Sequence, residues 1–157
     1  MQRLKKCEKF IDWIEPLHEI AMENTGLQDV GEDKSYLSGL RILLEQQDTE
    51  SDLQIPIGYS LKLIHMLEQR LLAEQRFKEN PGMLRTAIEK PLIITGMVRT
   101  GSTAMQHLAG SDSQRQHLQY WMSEYPQPRP PREEWAAHPD FQKCQKRIDG
   151  MYKRVPE

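Results

Sequence analysis

Apolar residues in the first ninety positions recur at intervals of three and four, which is the spacing of amphipathic helices. Pro16 interrupts the first of these patterns and predicts a kink or a break near Glu15. We therefore expect residues 1–90 to form a helical N-terminal segment that carries no visible chemistry of its own. The patterned stretches are Cys7 to Ala21, Tyr36 to Leu44 and Leu61 to Phe77.

A different pattern follows residue 90. Leu92 to Thr95 is a run of apolar and β-branched residues without alternation, as in a strand buried on both faces of a parallel sheet. Gly96 ends this run, and Ala104 to Gly110 follows with helical spacing. His117 to Trp121 is a candidate second strand, which would close a right-handed β-α-β unit.

These elements predict an α/β fold. The helical segment, 1–90, would be followed by the start of a P-loop-like parallel sheet in a nucleotide-binding domain, 91–157. A parallel sheet needs several strands with helices on both faces, whereas only one firm and one candidate strand are found. We therefore expect the sheet to be incomplete at Glu157 and the chain to be the N-terminal portion of a longer enzyme.

A loop rich in hydroxyl groups joins the predicted strand to the predicted helix. A strand, a glycine-bearing loop and a helix together direct free backbone N–H groups and the positive end of the helix at an anion. We therefore predict that the loop binds phosphate. The candidate residues are Arg99, Thr100, Gly101, Ser102 and Thr103.

The loop departs from two common nucleotide-binding motifs. Gly96 and Gly101 have the separation found in GxxxxGK[ST], and Thr103 fits its last position, but Ser102 stands where that motif has lysine. The dinucleotide motif GxGxxG is not met either, because the second residue after Gly96 is not glycine. A P-loop kinase or nucleotidase with a degenerate loop remains an alternative, and it would require ATP and Mg²⁺.

The loop GMVRTGST resembles the phosphosulfate loop of the sulfotransferases. It is most similar to the bacterial branch, whose loop is close to G-x-P-R-[ST]-G-[ST]-T after a PLFI-like strand. Val98 stands where that family usually has proline, which removes a fixed φ from the loop entrance. The resemblance covers essentially the whole chain, and its other blocks are Thr25 to Asp48, the helix up to Asn80, Tyr120 to Pro131 and the closing VPE.

The resemblance implies transfer of a sulfuryl group from 3′-phosphoadenosine 5′-phosphosulfate (PAPS) to a hydroxyl or amine of a small acceptor, without a metal. It implies that Arg99 is catalytic and neutralises the bridging oxygen and the 5′-phosphate. The backbone N–H groups from Thr100 to Thr103, with the hydroxyls of Ser102 and Thr103, would hold the 5′-phosphate. The N-terminal segment would help to shape the acceptor pocket, and the residues that bind the 3′-phosphate would lie beyond Glu157.

The general base is left open. Glu124 lies beside Trp121 and ahead of several prolines, where a carboxylate could face the site, although a solvated loop glutamate is the simpler interpretation. His107, His117 and His138 have no supporting pattern. A base beyond the end of the chain is a further alternative.

Four prolines between Pro126 and Pro131 exclude a central strand or a helix interior. The segment PQPRPP is compatible with a polyproline II ligand for a partner domain. It is also compatible with a rigid loop that lines a site, which is the more common use of such a segment inside an enzyme. We favour the loop.

The amino-acid composition excludes several functional classes of protein. The formal net charge is −2, from 21 Lys and Arg against 23 Asp and Glu, so no basic face for nucleic acid is expected. No apolar run approaches a membrane span, and neither the two cysteines nor the five histidines have metal-ligand spacing. We expect a cytoplasmic protein with a small-molecule acceptor and no metal, membrane or nucleic-acid partner. A non-catalytic helical interaction protein with a vestigial phosphate loop is the second alternative.

Overall fold

The computed structural model describes residues 2–49, 57–97 and 99–153. The described residues are 66% helical. The α-helices are α1 (Ile14–Thr25), α2 (Ser35–Thr49), α3 (Ile57–Glu79), α4 (Ser102–Gly110), α5 (Tyr120–Glu124) and α6 (Pro139–Tyr152), and 3₁₀ helices span Leu4–Lys6, Phe10–Trp13, Pro81–Arg85 and Arg132–Ala137.

The chain divides into two compact units, Met1–Pro81 and Gly82–Glu157. The predicted domain boundary after residue 90 remains a prediction. In the first unit, α1 packs against α3, and α2 packs against the 3₁₀ helix Phe10–Trp13. The buried side chains come from all three α-helices and their flanks: Leu4, Leu17, Ala21, Val30, Leu44, Leu63, Ile64, Leu67 and Leu71. This core explains the apolar spacing of the first ninety residues.

Two polar side chains fix the connections of the first unit. The Asp48 carboxylate accepts the backbone N–H groups of Phe10 (2.7 Å) and Ile11 (3.0 Å), so α2 caps a helix 38 residues earlier in the chain. Arg70 on α3 donates to the carbonyl of Val30 (2.7 Å), and its guanidinium lies 4.3 Å from the centre of the Tyr36 ring. The Asp48 contact joins two helices, and the Arg70 contact joins α3 to the loop before α2.

The second unit has a smaller core built around one indole ring. Trp121 and Met122 of α5 are buried against Cys144 of α6. The Trp121 ring contacts Trp135, with ring centroids 5.9 Å apart, and Phe141, at 5.8 Å. The cluster joins α5, the 3₁₀ helix Arg132–Ala137 and α6 into one packed group.

The predicted parallel sheet is wrong for the described residues, which contain no strand. The stretch from Pro91 to Met97 is irregular, and Leu92 and Ile93 are 59% and 76% exposed. A strand exists only where its backbone N–H and C=O groups pair with a neighbour, and none of the described residues supplies one. The apolar run from Leu92 to Thr95 therefore has the residue composition of a strand, but no neighbouring strand pairs with it within the described residues.

The candidate second strand at His117 to Trp121 is also wrong. Residues 117–119 are irregular, and α5 begins at Tyr120. Gln119 is extended and its carbonyl accepts the N–H of Met122 (3.0 Å), which starts a helical turn. Packing of Trp121 against α6 outweighs the β-propensity of its aromatic neighbours. No β-α-β unit is formed within the described residues.

We predict that Asp48→Ala destabilises the first unit by roughly 2 kcal/mol, because two backbone N–H groups lose a charged acceptor. Native-state amide exchange of α1, Phe10 and Ile11 measures this loss. Glu45→Ala on the same helix is the control, since Glu45 makes only a surface ion pair with Arg41 at 4.0 Å. An equal loss in both variants would contradict the capping role.

Candidate functional site

The predicted phosphate loop leads directly into α4. Gly101 is the N-cap residue and has the left-handed φ of 88°, while α4 starts at Ser102. The first helical hydrogen bond runs from the Met105 N–H to the Gly101 carbonyl (3.0 Å). The backbone N–H groups of the first helical turn lie ahead of that bond and have no intrahelical acceptor. No side chain caps this end of α4 among the described residues, so its positive end is open.

Gly101 is required here by its conformation and not by lack of space. A Cβ atom at this position would have no heavy atom within 4 Å. A φ of 88° is nevertheless strained for any residue with a side chain. The backbone conformation of the turn therefore requires glycine at position 101.

Arg99 also adopts a left-handed backbone, with φ of 66°. This conformation costs about 1–2 kcal/mol for a residue with a Cβ atom, and such outliers concentrate at functional sites. The side chain is exposed and makes no hydrogen bond or ion pair with the part of the chain that the structure describes. Its charge is available to an anion.

The three hydroxyl groups of the loop differ in their contacts. Thr100 donates through Oγ1 to the carbonyl of Met97 at 2.6 Å. Ser102 and Thr103 are exposed at the start of α4 and have no side-chain hydrogen bond within the described ranges. The structure therefore brings the five predicted residues together in one continuous exposed segment. The departure at Val98 lies outside the described residues.

The candidate base Glu124 is held in an ion pair. Its carboxylate contacts the guanidinium of Arg147 on α6, and Arg147 also donates to the Tyr120 hydroxyl at 2.8 Å. The Glu124 side chain is only 14% exposed. This arrangement links α5 to α6 and does not present a free carboxylate. Nothing in the sequence signals the pairing, since Glu124 and Arg147 are separated by the proline-rich segment.

Partial desolvation next to this ion pair changes two proton affinities. Desolvation raises the pKa of Tyr120 above its ordinary value of 10.0, and the neighbouring Glu124 charge raises it further. Desolvation also raises the pKa of the Cys144 thiol above 9.0. Cys144 is therefore an unreactive core thiol, and both cysteines are unpaired.

The three candidate histidines have local roles. His138 caps α6 through Nδ1, which accepts the Asp140 N–H (3.3 Å). His117 lies against Gly110, where a Cβ atom would come within 2.8 Å of its ring. His107 is exposed on α4. No hydrogen bond, ion pair or ring contact joins any of them to the loop within the described residues.

The proline-rich segment is fastened to its own unit. The Trp135 indole N–H donates to the carbonyl of Pro130 (2.9 Å). Arg129 donates to the carbonyl of His117 (3.0 Å), and its guanidinium lies 5.0 Å from the centre of the Trp135 ring. These contacts favour the rigid-loop interpretation over that of a free polyproline ligand.

The described part of the chain contains neither a metal site nor a membrane-spanning helix. No group of three or more histidine, cysteine or acidic side chains could hold a metal ion there. None of the described helices is long and apolar enough to cross a membrane.

Comparison with known proteins gives a consistent class. Residues 91–155 match the model of the sulfotransferase family. The structure is similar to the crystal structure of sulfotransferase STF1 from Mycobacterium tuberculosis H37Rv (type1 form), with a TM-score of 0.85 and 34% sequence identity. That match covers 96% of this chain and 42% of the solved one, so the chain spans about two fifths of this relative's length. No curated protein matches the chain.

Both matches support a sulfotransferase family for this chain, and the resemblance stated from the sequence is confirmed. The family match includes the whole of the Arg99 to Thr103 loop. The roles of individual loop residues remain predictions.

We predict that the second unit loses stability as pH rises above about 9. The unfolded chain releases the Cys144 and Tyr120 protons near 9.0 and 10.0, whereas the raised folded-state pKa values retain them. Stability from both groups is therefore present below these values and falls as pH rises toward the folded-state values. Tyr120→Phe should reduce this slope.

Urea unfolding between about pH 8 and pH 11 measures the slope. A Trp13→Phe background leaves Trp121 and Trp135 as reporters, both in the second unit. Tyr152→Phe is the control, because that ring is 70% exposed on α6. An unchanged slope in Tyr120→Phe would show that the desolvation and the Glu124 charge at Tyr120 do not affect its proton.

Proposed function

We propose that this chain carries the donor-binding loop of a sulfotransferase that transfers a sulfuryl group from PAPS to a hydroxyl or amine of a small acceptor. The observation that carries the proposal is the exposed Arg99, which has no partner among the described residues. It lies directly ahead of the start of α4, which no described side chain caps, inside the family-matched segment. A cation and a helix N-terminus together favour an anionic ligand. The phosphosulfate group of PAPS and the 5′-phosphate of its desulfated product are both anions of this kind.

The chemistry of the transfer explains why a cation belongs in this loop. The acceptor oxygen or nitrogen forms a bond to sulfur while the bond from sulfur to the bridging oxygen breaks. The electron pair of the broken bond remains on the nucleotide, so negative charge grows on the bridging oxygen and the 5′-phosphate. Arg99 would stabilise that charge, and its guanidinium can donate two hydrogen bonds at once.

The first turn of α4 would hold the same phosphate. The backbone N–H groups of Ser102 and Thr103 lack intrahelical acceptors, and their hydroxyls are available as donors. These neutral donors add to the charge of Arg99 without requiring a metal. The proton of the acceptor must leave to a base, and the ion pair between Glu124 and Arg147 disfavours Glu124 for that role.

The chain spans about two fifths of its solved relative, so we propose a test of binding and not of turnover. Binding of the desulfated product, adenosine 3′,5′-bisphosphate, is therefore the direct test of this loop. We propose that this chain binds the product without catalysing transfer by itself. Its small acceptor and its cytoplasmic location are parts of the same proposal.

We predict that Arg99→Ala weakens binding of adenosine 3′,5′-bisphosphate by roughly ten- to hundredfold, because charge-assisted hydrogen bonds are lost. The affinity of Arg99→Lys should lie between that of the unchanged chain and that of Arg99→Ala. Lysine keeps the positive charge but lacks the planar guanidinium that donates two parallel hydrogen bonds. Calorimetric titration of the chain, with Mg²⁺ and with EDTA, gives the dissociation constants.

Arg132→Ala is the matched control, because Arg132 is another exposed arginine of the second unit. Its titration should match that of the unchanged chain. Binding that requires Mg²⁺ and prefers ATP would favour the P-loop kinase alternative. A folded chain that binds neither nucleotide would contradict the proposed function.

A further inference from the structure

We propose that Thr100 is a positioning residue whose hydroxyl holds the loop in the shape that presents Arg99. This inference rests on the proposed function for its effect on binding, but the hydroxyl contact itself is a feature of the loop. This contact distinguishes Thr100 from Ser102 and Thr103, whose side chains also carry a hydroxyl group.

The hydroxyl of Thr100 already donates a hydrogen bond within the loop. Its single proton is donated to the carbonyl of Met97 at 2.6 Å. The remaining lone pairs can only accept, and phosphate oxygens carrying negative charge are acceptors too. Thr100 therefore cannot donate to a phosphate while this bond stands. In the described loop, Ser102 and Thr103 have no comparable bond and keep their protons for a ligand.

The bond spans the strained residue. Met97 and Thr100 lie on either side of Arg99 in the chain, and Arg99 has φ of 66°. A left-handed backbone at a residue with a side chain persists only when its surroundings enforce it. The side chain of Arg99 has no partner in the described residues that could do so. The bond from the Thr100 hydroxyl to the Met97 carbonyl is a side-chain contact across this turn.

Gly96 independently supports the same position of the hydroxyl. A Cβ atom added at Gly96 would lie 2.9 Å from Thr100 Oγ1, closer than real Cβ atoms approach other heavy atoms. The absence of a side chain at Gly96 therefore leaves the space that the Thr100 hydroxyl occupies. This gives Gly96 a defined role in the loop, although its backbone does not have a positive φ.

Removing the hydroxyl should act through Arg99. Without the bond, the Met97 carbonyl turns to solvent and Arg99 relaxes to a negative φ, which redirects its guanidinium. Affinity for the nucleotide then falls although no ligand contact has been deleted. A residue that only contacts phosphate would lose affinity without any change in the Arg99 backbone.

Thr100→Val and Thr100→Ser test the hydroxyl at nearly constant shape. We expect Thr100→Val to bind adenosine 3′,5′-bisphosphate at least about tenfold more weakly and Thr100→Ser to stay within about twofold of the unchanged chain. NMR gives the second readout, since the intraresidue cross-peak between the amide and Cα protons is strong at positive φ. That cross-peak at Arg99 should weaken in Thr100→Val and persist in Thr100→Ser.

Thr103→Val is the contrasting variant. It deletes a hydroxyl proposed to touch phosphate, so binding should weaken while the Arg99 cross-peak is unchanged. A double-mutant cycle adds the contact with Gly96: Gly96→Ala should weaken binding in the Thr100 chain and have little further effect in Thr100→Ala, where the obstructing oxygen is absent. Additive losses would contradict the contact.

Unchanged binding and an unchanged Arg99 cross-peak in Thr100→Val would overturn the proposal. Thr100→Ser as weak as Thr100→Val would also overturn it, because the hydroxyl would then not be the active group. If the unchanged chain binds no nucleotide, the proposed function fails, and the cross-peak comparison alone decides the role of Thr100. The two failures are thus distinguishable.

Discussion

The exposed positive charge of Arg99, which no acidic side chain of the described residues contacts, is the feature on which the candidate site depends. Arg3, Arg70, Arg76 and Arg147 lie against carboxylates, whereas the exposed Arg132, like Arg99, contacts none in the described ranges. What distinguishes Arg99 is the helix that follows it, which adds its own unfilled N–H groups. An anion would satisfy both at once. This arrangement supports the proposed role of the loop in binding an anion.

The sequence was most informative where structure depends on neighbours along the chain. The patterns from Cys7 to Ala21, Tyr36 to Leu44 and Leu61 to Phe77 each overlap an α-helix, because a helix satisfies its own backbone and needs only one apolar face. The break expected near Glu15 falls at Ile14, where the 3₁₀ helix Phe10–Trp13 gives way to α1. The prediction of a strand at Leu92 to Thr95 was wrong, because a strand depends on a neighbouring strand that residue spacing cannot reveal.

The same distinction holds at the site. The sequence motif identified the candidate residues Arg99 to Thr103, because the apolar run, the glycine and the helix are adjacent in the sequence. It could not show that Arg99 is left-handed or that the Thr100 hydroxyl points to Met97, since both depend on backbone angles. The ion pair between Glu124 and Arg147 joins residues 23 positions apart and leaves no signal in either neighbourhood.

The left-handed conformation of Arg99 sets two selective demands against each other. Glycine at this position would relieve the backbone strain and stabilise the free protein, but it would remove the cation. Asparagine, which tolerates the same conformation, would also lose the charge. Screening variants for thermal stability alone would thus tend to select against the side chain that the site needs. Arg99 is a position where improved folding and retained binding would be expected to diverge.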